Sequence, residues 1–246
     1  MDLPALALLG VVSGVLAWRA IARERRDYAR FKRLRSTVAR QKVYRRWVVE
    51  AFLALGGLSL ATIVGAWDSI APLLAAGQEW APIAASRDVL GGEFGLAVGL
   101  GVAVVLVGFL VLPIVLLRGT PIDDAPALGD IRALLPRTRD ELPYGAALSI
   151  NAGVVEELLF RLGLPALVFA VTGDAIVAFV AATVIFGLLH VYQGPTGIVL
   201  STVLGVAFAY LYLVTGSILV PIALHALIDL RSMVLIPLAL GTASRP

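Results

Sequence analysis

The C-terminal half of the sequence has few ionisable side chains, and these lie in short apolar segments. The chain has only two histidines, His190 and His225. Each lies in a segment whose other residues are apolar and predict a membrane span. A third apolar segment contains the adjacent acids Glu156 and Glu157. Ionisable residues within a bilayer are energetically costly and usually functional. A carboxylate with two imidazoles can activate water for hydrolysis or bind a divalent metal ion.

The composition is that of a polytopic membrane protein. Of the 246 residues, 59% are hydrophobic and 15% are charged, and the mean hydropathy is +0.92, which lies far from the averages of soluble domains. The net charge is +3, but 12 of the 20 Lys and Arg residues lie in 19–46, beside apolar segments. This basic block indicates membrane topology or contact with lipid headgroups, and not nucleic acid. The absence of cysteine excludes disulfides and thiolate chemistry.

The apolar segments predict an all-α fold, a polytopic transmembrane helical bundle with about seven (six to eight) spanning helices. The basic loops 19–46 and 118–141 are expected on the cytoplasmic side, with the N-terminus outside, an outer loop at 68–93, and a kink at Gly163 and Pro165 in the fourth span. We divide the chain into an N-terminal part, 1–142, and a catalytic helical core, 143–246. The predicted spans are 3–18, 47–67, 94–117, 143–170, 175–192, 196–214 and 217–240.

The charges of the predicted core divide into paired and unpaired groups. Between positions 143 and 230 the only residues charged at neutral pH are Glu156, Glu157, Arg161, Asp174 and Asp229. Asp174 is assigned to a loop, and each of the others opposes insertion of an isolated helix by about 2.5–3.5 kcal/mol unless it is paired. Glu157 and Arg161 are spaced i, i+4 with the acid first, the favourable order for a helical ion pair. We therefore predict that these two form a structural brace.

The remaining polar groups form a predicted reactive set. Glu156 is rotated by about 100° from its neighbour on the helix and has no partner in its own segment, so it is free to face a cavity as a general base. Asp229 follows His225 by one helical turn and shares its face. Together with His190, these side chains come from three helices and can surround one water molecule or one metal ion. Hydrolysis of an amide within the membrane requires a wet pocket of this kind.

The motifs resemble those of a known family. The strings EELLFR (156–161), FGLLH (186–190) and HALID (225–229) follow the order EExxxR, FxxxH and HxxxN or HxxxD on successive membrane helices. This order is similar to that of the CAAX prenyl endopeptidases and bacteriocin-processing enzymes, the CPBP or Abi family of intramembrane glutamate proteases. The resemblance covers about 143–240, and no motif in the first three spans contributes to it.

The resemblance implies an intramembrane endopeptidase in a multi-pass membrane protein, expected in a prokaryotic plasma membrane. Glu156 would activate the water, and His190 and His225 would hold that water or, with Glu156, a divalent metal such as zinc. The last motif position, Asp229, would help to stabilise the oxyanion; since an ionised Asp cannot donate a hydrogen bond, it must be protonated, act as a ligand or orient His225. The expected partners are a peptide or protein substrate, which can be prenylated, and membrane lipids.

Two other function classes fit parts of the pattern. A non-proteolytic immunity factor or scaffold of the same fold would bind a peptide or a membrane protein, but it would not need Glu156 together with two intramembrane histidines. A proton- or metal-coupled transporter would use intramembrane acids and histidines, but the sequence shows no repeat of the kind that builds transporter halves. The enzyme is therefore the preferred interpretation.

Overall fold

The fold is known from a computed structural model that describes residues 3–120 and 130–240. Over these ranges every regular element is helical and no strand occurs, which confirms the predicted all-α class. The helices are α1 (Leu3–Phe31), α2 (Thr37–Gly65), α3 (Trp67–Gln78), α4 (Ala81–Gly91), α5 (Gly95–Leu116), α6 (Leu142–Glu157), α7 (Leu164–Thr172), α8 (Ala175–Leu189), α9 (Gly194–Thr215), α10 (Leu219–Leu230) and α11 (Ile236–Ala239).

Helical segments occupy all seven predicted spans. Five continuous helical segments are long and apolar enough to cross a membrane, and one of them, Ala175–Thr215, joins α8 and α9 through a 3-10 turn at His190–Gln193. The run from α6 to α7 carries the buried charges and is not among these five. The chain is therefore an integral membrane protein with a helical bundle, as expected.

Two predicted loops are largely helical. α1 continues past residue 18 to Phe31, and α2 begins at Thr37, so that only 32–36 of the expected loop 19–46 is non-helical. Arg, Lys and Glu are good helix formers, and polar residues can extend a spanning helix into the aqueous phase. The expected outer loop 68–93 contains α3 and α4, which bury Leu73, Gly77 and Ile83 against the bundle.

At the kink predicted for Gly163 and Pro165, the helix changes type. A π-helical segment, Leu158–Gly163, links α6 directly to α7, and Pro165 lies in the first turn of α7. Proline is tolerated there because the first turn of a helix leaves its N–H groups without intrahelical partners. The helix therefore continues through the motif that contains Glu156, Glu157 and Arg161.

Local sequence signals set the ends of the helices around the core. Gly173 ends α7 with a φ of 68°, a conformation that glycine adopts readily. Asp174 then caps α8, because its side chain accepts hydrogen bonds from the backbone N–H groups of Ile176 and Val177. Its role as a loop residue is thus confirmed. Gly216 ends α9 in the same left-handed conformation.

The motif-bearing helices lie at the centre of the bundle, and α5 lies at its edge. α6 packs against α2 and α10, and α8 packs against α7 and α9. In α5 only Gly95 is buried, so most of this helix is left to face lipid.

Gly153 allows α6 and α10 to approach closely beside the site. A Cβ atom at this position would lie 2.8 Å from the backbone nitrogen of Ala226 and 2.9 Å from its Cβ. Neither atom can move away without shifting α10, because both are fixed to its backbone. Since Ala226 follows His225, this contact sets the distance between the first and third motifs.

A buried ion pair outside the three motifs fixes the start of α6. Arg40 of α2 and Glu141, which directly precedes α6, are both 0% exposed. Arg40 Nε donates to the two carboxylate oxygens of Glu141 at 3.0 and 3.2 Å. The guanidinium also donates to the carbonyls of Ala133 and Leu135, each at 3.0 Å. This pair ties residues 133–141 to α2 and so sets where α6 begins.

Candidate active site

Glu157 lies at the centre of the polar cluster formed by the three motifs. It is 0% exposed. Its Oε2 lies 3.1 Å from Nε of Arg161, one turn further along the chain, and its Oε1 accepts a hydrogen bond from Nδ1 of His225 on α10 at 2.7 Å. One carboxylate therefore joins the first motif to the third.

Aromatic rings and a carbonyl surround Arg161. Its guanidinium lies 4.3 Å from the ring centroid of Phe186 and 5.4 Å from that of Phe208. Its Nη2 donates to the carbonyl of Gly205 at 3.4 Å. A buried arginine is stabilised by such ring faces and by its carboxylate partner. The ion pair predicted from the i, i+4 spacing is present, and both of its side chains are buried inside the bundle.

The ring of His225 is held in a defined orientation. It stacks on Phe208 with centroids 5.1 Å apart and planes inclined by 19°. Since a carboxylate accepts and cannot donate, Nδ1 must carry the proton in the hydrogen bond to Glu157. Nε2 then points towards Asp229, whose Oδ2 lies 3.7 Å away. That separation is too long for a hydrogen bond but short enough for an electrostatic contact.

His190 also has its Nδ1 engaged. It lies where α8 passes into the 3-10 turn, and its Nδ1 donates to the carbonyl of Phe186 at 2.9 Å. The carbonyl accepts this bond, so the proton is on Nδ1 and Nε2 presents a lone pair in the neutral ring. The ring is partly exposed and lies within electrostatic range of His225 and Asp229.

Glu156 is the carboxylate of the cluster without a partner. It is partly exposed, whereas its neighbour Glu157 is fully buried. Among the described residues it makes no hydrogen bond or ion pair, although His225 and Arg161 lie within electrostatic range. Its oxygen lone pairs are therefore available to a water molecule or a substrate.

Helix α1 contributes charges near the site that the sequence motifs did not indicate. Its π-helical segment, Arg19–Glu24, packs against α8 and against the 3-10 turn that begins at His190. Glu24 lies within electrostatic range of both Glu156 and His190. In the sequence these residues belong to the basic block 19–46. Nothing in that pattern predicts that they lie near the motifs, because this proximity depends on how α1 packs.

The structure places the predicted residues in one cluster. Glu156, Glu157 and Arg161 come from α6 and the π-helical segment after it, His190 from the end of α8, and His225 and Asp229 from α10. The predicted brace and the predicted reactive set are not separate, however, because His225 donates a hydrogen bond to the brace carboxylate Glu157. Phe186 and Phe208 complete the cluster by covering Arg161 and orienting His225.

The described side chains include no preassembled metal centre. Within 3–120 and 130–240, no group of three or more His, Asp or Glu side chains is placed to hold a metal ion. Nδ1 of each histidine donates to a protein oxygen, which leaves Nε2 as the ring nitrogen that could bind a metal ion. The expected alternative in which His190, His225 and Glu156 bind zinc stays a prediction.

Comparison with protein-family models gives a match in the second half of the chain. Residues 138–231 match the family model described as type II CAAX prenyl endopeptidase Rce1-like. The matched segment contains all of the motif residues from Glu156 to Asp229. No curated protein and no solved structure matches the chain.

Proposed function

We propose, because residues 138–231 match the family model described as type II CAAX prenyl endopeptidase Rce1-like, that this integral membrane protein hydrolyses a peptide bond by means of Glu156. One observation carries the proposal: Glu156 is partly exposed and unpaired beside two histidines whose Nδ1 atoms are already engaged. The unpaired carboxylate is thus free to take a proton from water.

In this mechanism Glu156 acts as the general base. A water molecule bound to its carboxylate attacks the peptide carbonyl carbon while a water proton passes to Glu156. The tetrahedral intermediate then collapses, the C–N bond breaks, and the same proton passes to the leaving amine. The products are a carboxylic acid and an amine, and Glu156 returns to its ionised form. A positioned general base contributes about 10²–10⁴-fold to the rate.

The two histidines take different roles because their surroundings differ. Nε2 of His190, with its proton held on Nδ1, accepts a hydrogen bond from the attacking water and orients it. His225 lies between the carboxylates of Glu157 and Asp229, which stabilise a positive charge on its ring. Its Nε2–H then donates to the oxyanion that forms on the carbonyl. Asp229 acts through His225 and is a positioning residue.

The proposed substrate is a prenylated or otherwise membrane-associated peptide, cut near the cytoplasmic side of a prokaryotic plasma membrane. The basic face of α1 and α2 would contact anionic lipid headgroups, which supports this orientation. No nucleic-acid partner is proposed. The proposed mechanism uses only side chains and water.

The test is hydrolysis by the purified protein. Wild type and Glu156→Gln are incubated with prenylated CAAX peptides and with bacteriocin-type leader peptides, and Glu79→Gln, at an exposed acid of the same type, is the matched control. We expect wild type and Glu79→Gln to cleave a peptide at equal rates and Glu156→Gln to be at least about 100-fold slower. A wild type that cleaves none of the peptides, or a Glu156→Gln variant as fast as wild type, contradicts the proposal.

A further inference from the structure

Arg19 of α1 is a buried cation with an unused hydrogen-bond donor. Its exposure is 8%, and its Nη2 donates to Oε1 of Glu24 at 2.6 Å. Its Nη1 is buried and has no hydrogen-bond partner. A buried donor left unsatisfied is destabilising by about 1–3 kcal/mol, so such a group calls for an explanation.

The other arginines with unsatisfied buried nitrogens differ from Arg19. Arg161 and Arg231 also have such atoms, but the guanidinium of Arg161 lies over Phe186, and that of Arg231 lies 4.9 Å from the ring centroid of Phe109. Aromatic faces compensate a cation in part. Among the described residues no ring covers the guanidinium of Arg19. Its free donor is therefore the least compensated of the three.

Arg19 belongs to a segment that packs beside the proposed reaction centre. The segment Arg19–Glu24 packs on α8 and on the turn that starts at His190, and the Glu24 partner of Arg19 lies within electrostatic range of Glu156 and His190. The segment is π-helical, as are the segments that directly follow Glu157 and Leu230. π-helical turns are rare and frequently occur at functional sites.

A cavity lies further along the same helix, beside the 3-10 turn. A cavity of about 280 Å³ is lined by Arg25, Tyr28 and Lys32 of α1 and by Tyr192 of the 3-10 turn. The ring of Tyr192 stacks with that of His190, with centroids 6.1 Å apart. One wall of this cavity is therefore in contact with a residue of the reaction centre.

The charges around Arg19 select the class of its acceptor. Glu24 already neutralises the guanidinium, and Glu156, which lies within electrostatic range of Glu24, adds further negative charge on this side of the bundle. A carboxylate ligand would be repelled by these acids, whereas a neutral carbonyl oxygen would accept a hydrogen bond from Nη1 without such repulsion. We propose that Arg19 is a substrate-binding residue whose Nη1 donates to a backbone carbonyl oxygen of the bound peptide. This inference rests on the proposed peptidase function.

The location of Arg19 is tested without any need for catalysis. The chain has no cysteine, so Arg19→Cys introduces a unique thiol, and Leu16→Cys, at a position 1% exposed in the packed core, is the control. We expect a small water-soluble methanethiosulfonate to label the Arg19→Cys protein at least about tenfold faster than the Leu16→Cys protein. Equal rates overturn the inference whether or not the protein cleaves peptides.

The contact with substrate is tested with the prenylated peptide that wild type cleaves best. We expect Arg19→Lys to lower kcat/KM at least about tenfold, mainly through KM, and Arg26→Lys, at an exposed position of the same helix, to leave it unchanged.

The uncleaved peptide should also slow labelling of the introduced thiol in an Arg19→Cys, Glu156→Gln protein. Unchanged kinetics in Arg19→Lys, or labelling that the peptide does not slow, overturns the contact. If wild type cleaves nothing, the proposed function fails while the labelling rates still decide whether Arg19 faces a wet site.

Discussion

Glu157 binds Arg161 through one carboxylate oxygen and His225 through the other. The first partner lies in the same helical run, and the second lies on α10, which follows much later in the chain. This carboxylate is therefore both a partner for a buried cation and the acceptor that fixes the ring of the second histidine. The role of Glu157 is wider than that of a local brace.

Replacing Glu157 should destabilise the fold. Glu157→Gln leaves Arg161 buried without a counter-charge and weakens the hydrogen bond from His225, and breaking a buried pair in this way costs about 3–5 kcal/mol. We expect a clearly lower melting temperature in detergent. Glu156→Gln, one residue away but unpaired, should melt like wild type. Equal melting of Glu157→Gln and wild type would rule out this role.

The protonation of the histidine rings can be observed directly. Because the chain has only two histidines, a sample labelled with ¹⁵N-histidine gives few signals, and His190→Phe assigns them. We expect Nδ1 to carry a proton in both rings, because each donates to an oxygen acceptor that cannot donate. Nε2 should also carry a proton in His225 but not in His190. Asp229→Asn removes a nearby negative charge and should therefore reduce the protonation of Nε2 in His225. A His225 ring with its proton on Nε2 alone would contradict the proposed orientation.

Gly153 should be intolerant of even a methyl group. In Gly153→Ala the new Cβ would lie within 3 Å of the Ala226 backbone, which forces α10 away from α6 and separates His225 from Glu157. Overpacking of this kind costs about 1–3 kcal/mol. We expect lower stability and lower peptidase activity, measured by thermal melting and by the hydrolysis rate.

The matched control for that change is Gly57→Ala. Gly57 lies in the middle of α2, is exposed, and would have no atom within 4 Å of its new Cβ. Alanine is the better helix former by about 1 kcal/mol, so this variant should be at least as stable as wild type. If both variants behave alike, the close approach of α6 and α10 is not important for the site.

The Arg40 and Glu141 pair should matter for both stability and activity. Arg40→Met leaves the buried carboxylate of Glu141 without its cation, with an expected loss of about 3–5 kcal/mol. The double variant Arg40→Met, Glu141→Leu should lose less than the sum of the two single changes, because no unpaired charge is then buried. Thermal melting of the four proteins measures this coupling, and additive losses would show that the two residues do not act as a pair.

Hydrolysis should be independent of bound metal. We expect extensive dialysis against a chelator to leave the rate of wild type unchanged, because the proposed mechanism uses only side chains and water. Elemental analysis of the purified protein should find less than one equivalent of zinc. Loss of activity on chelation, with recovery when zinc is restored, would require a metal-dependent mechanism in place of the one proposed.

The sequence alone determined the helical class, the apolar spans and the residues of the candidate site. Long apolar segments specify membrane helices because the bilayer accepts few other backbone structures. The scarcity of charge between 143 and 230 made Glu156, Glu157, His190 and His225 conspicuous. The i, i+4 spacing of Glu157 and Arg161 also predicted their ion pair, since this contact is a property of a single helix.

Only the tertiary structure decided which residues meet across helices. The bond between Glu157 and His225 depends on the close approach that Gly153 allows, and the position of Arg19 beside the site depends on the packing of α1 against α8. The basic block of 19–46 predicts the side of the membrane on which it lies, but it does not predict these contacts. Local spacing follows from helix geometry, whereas contacts between distant helices follow from how their surfaces fit together.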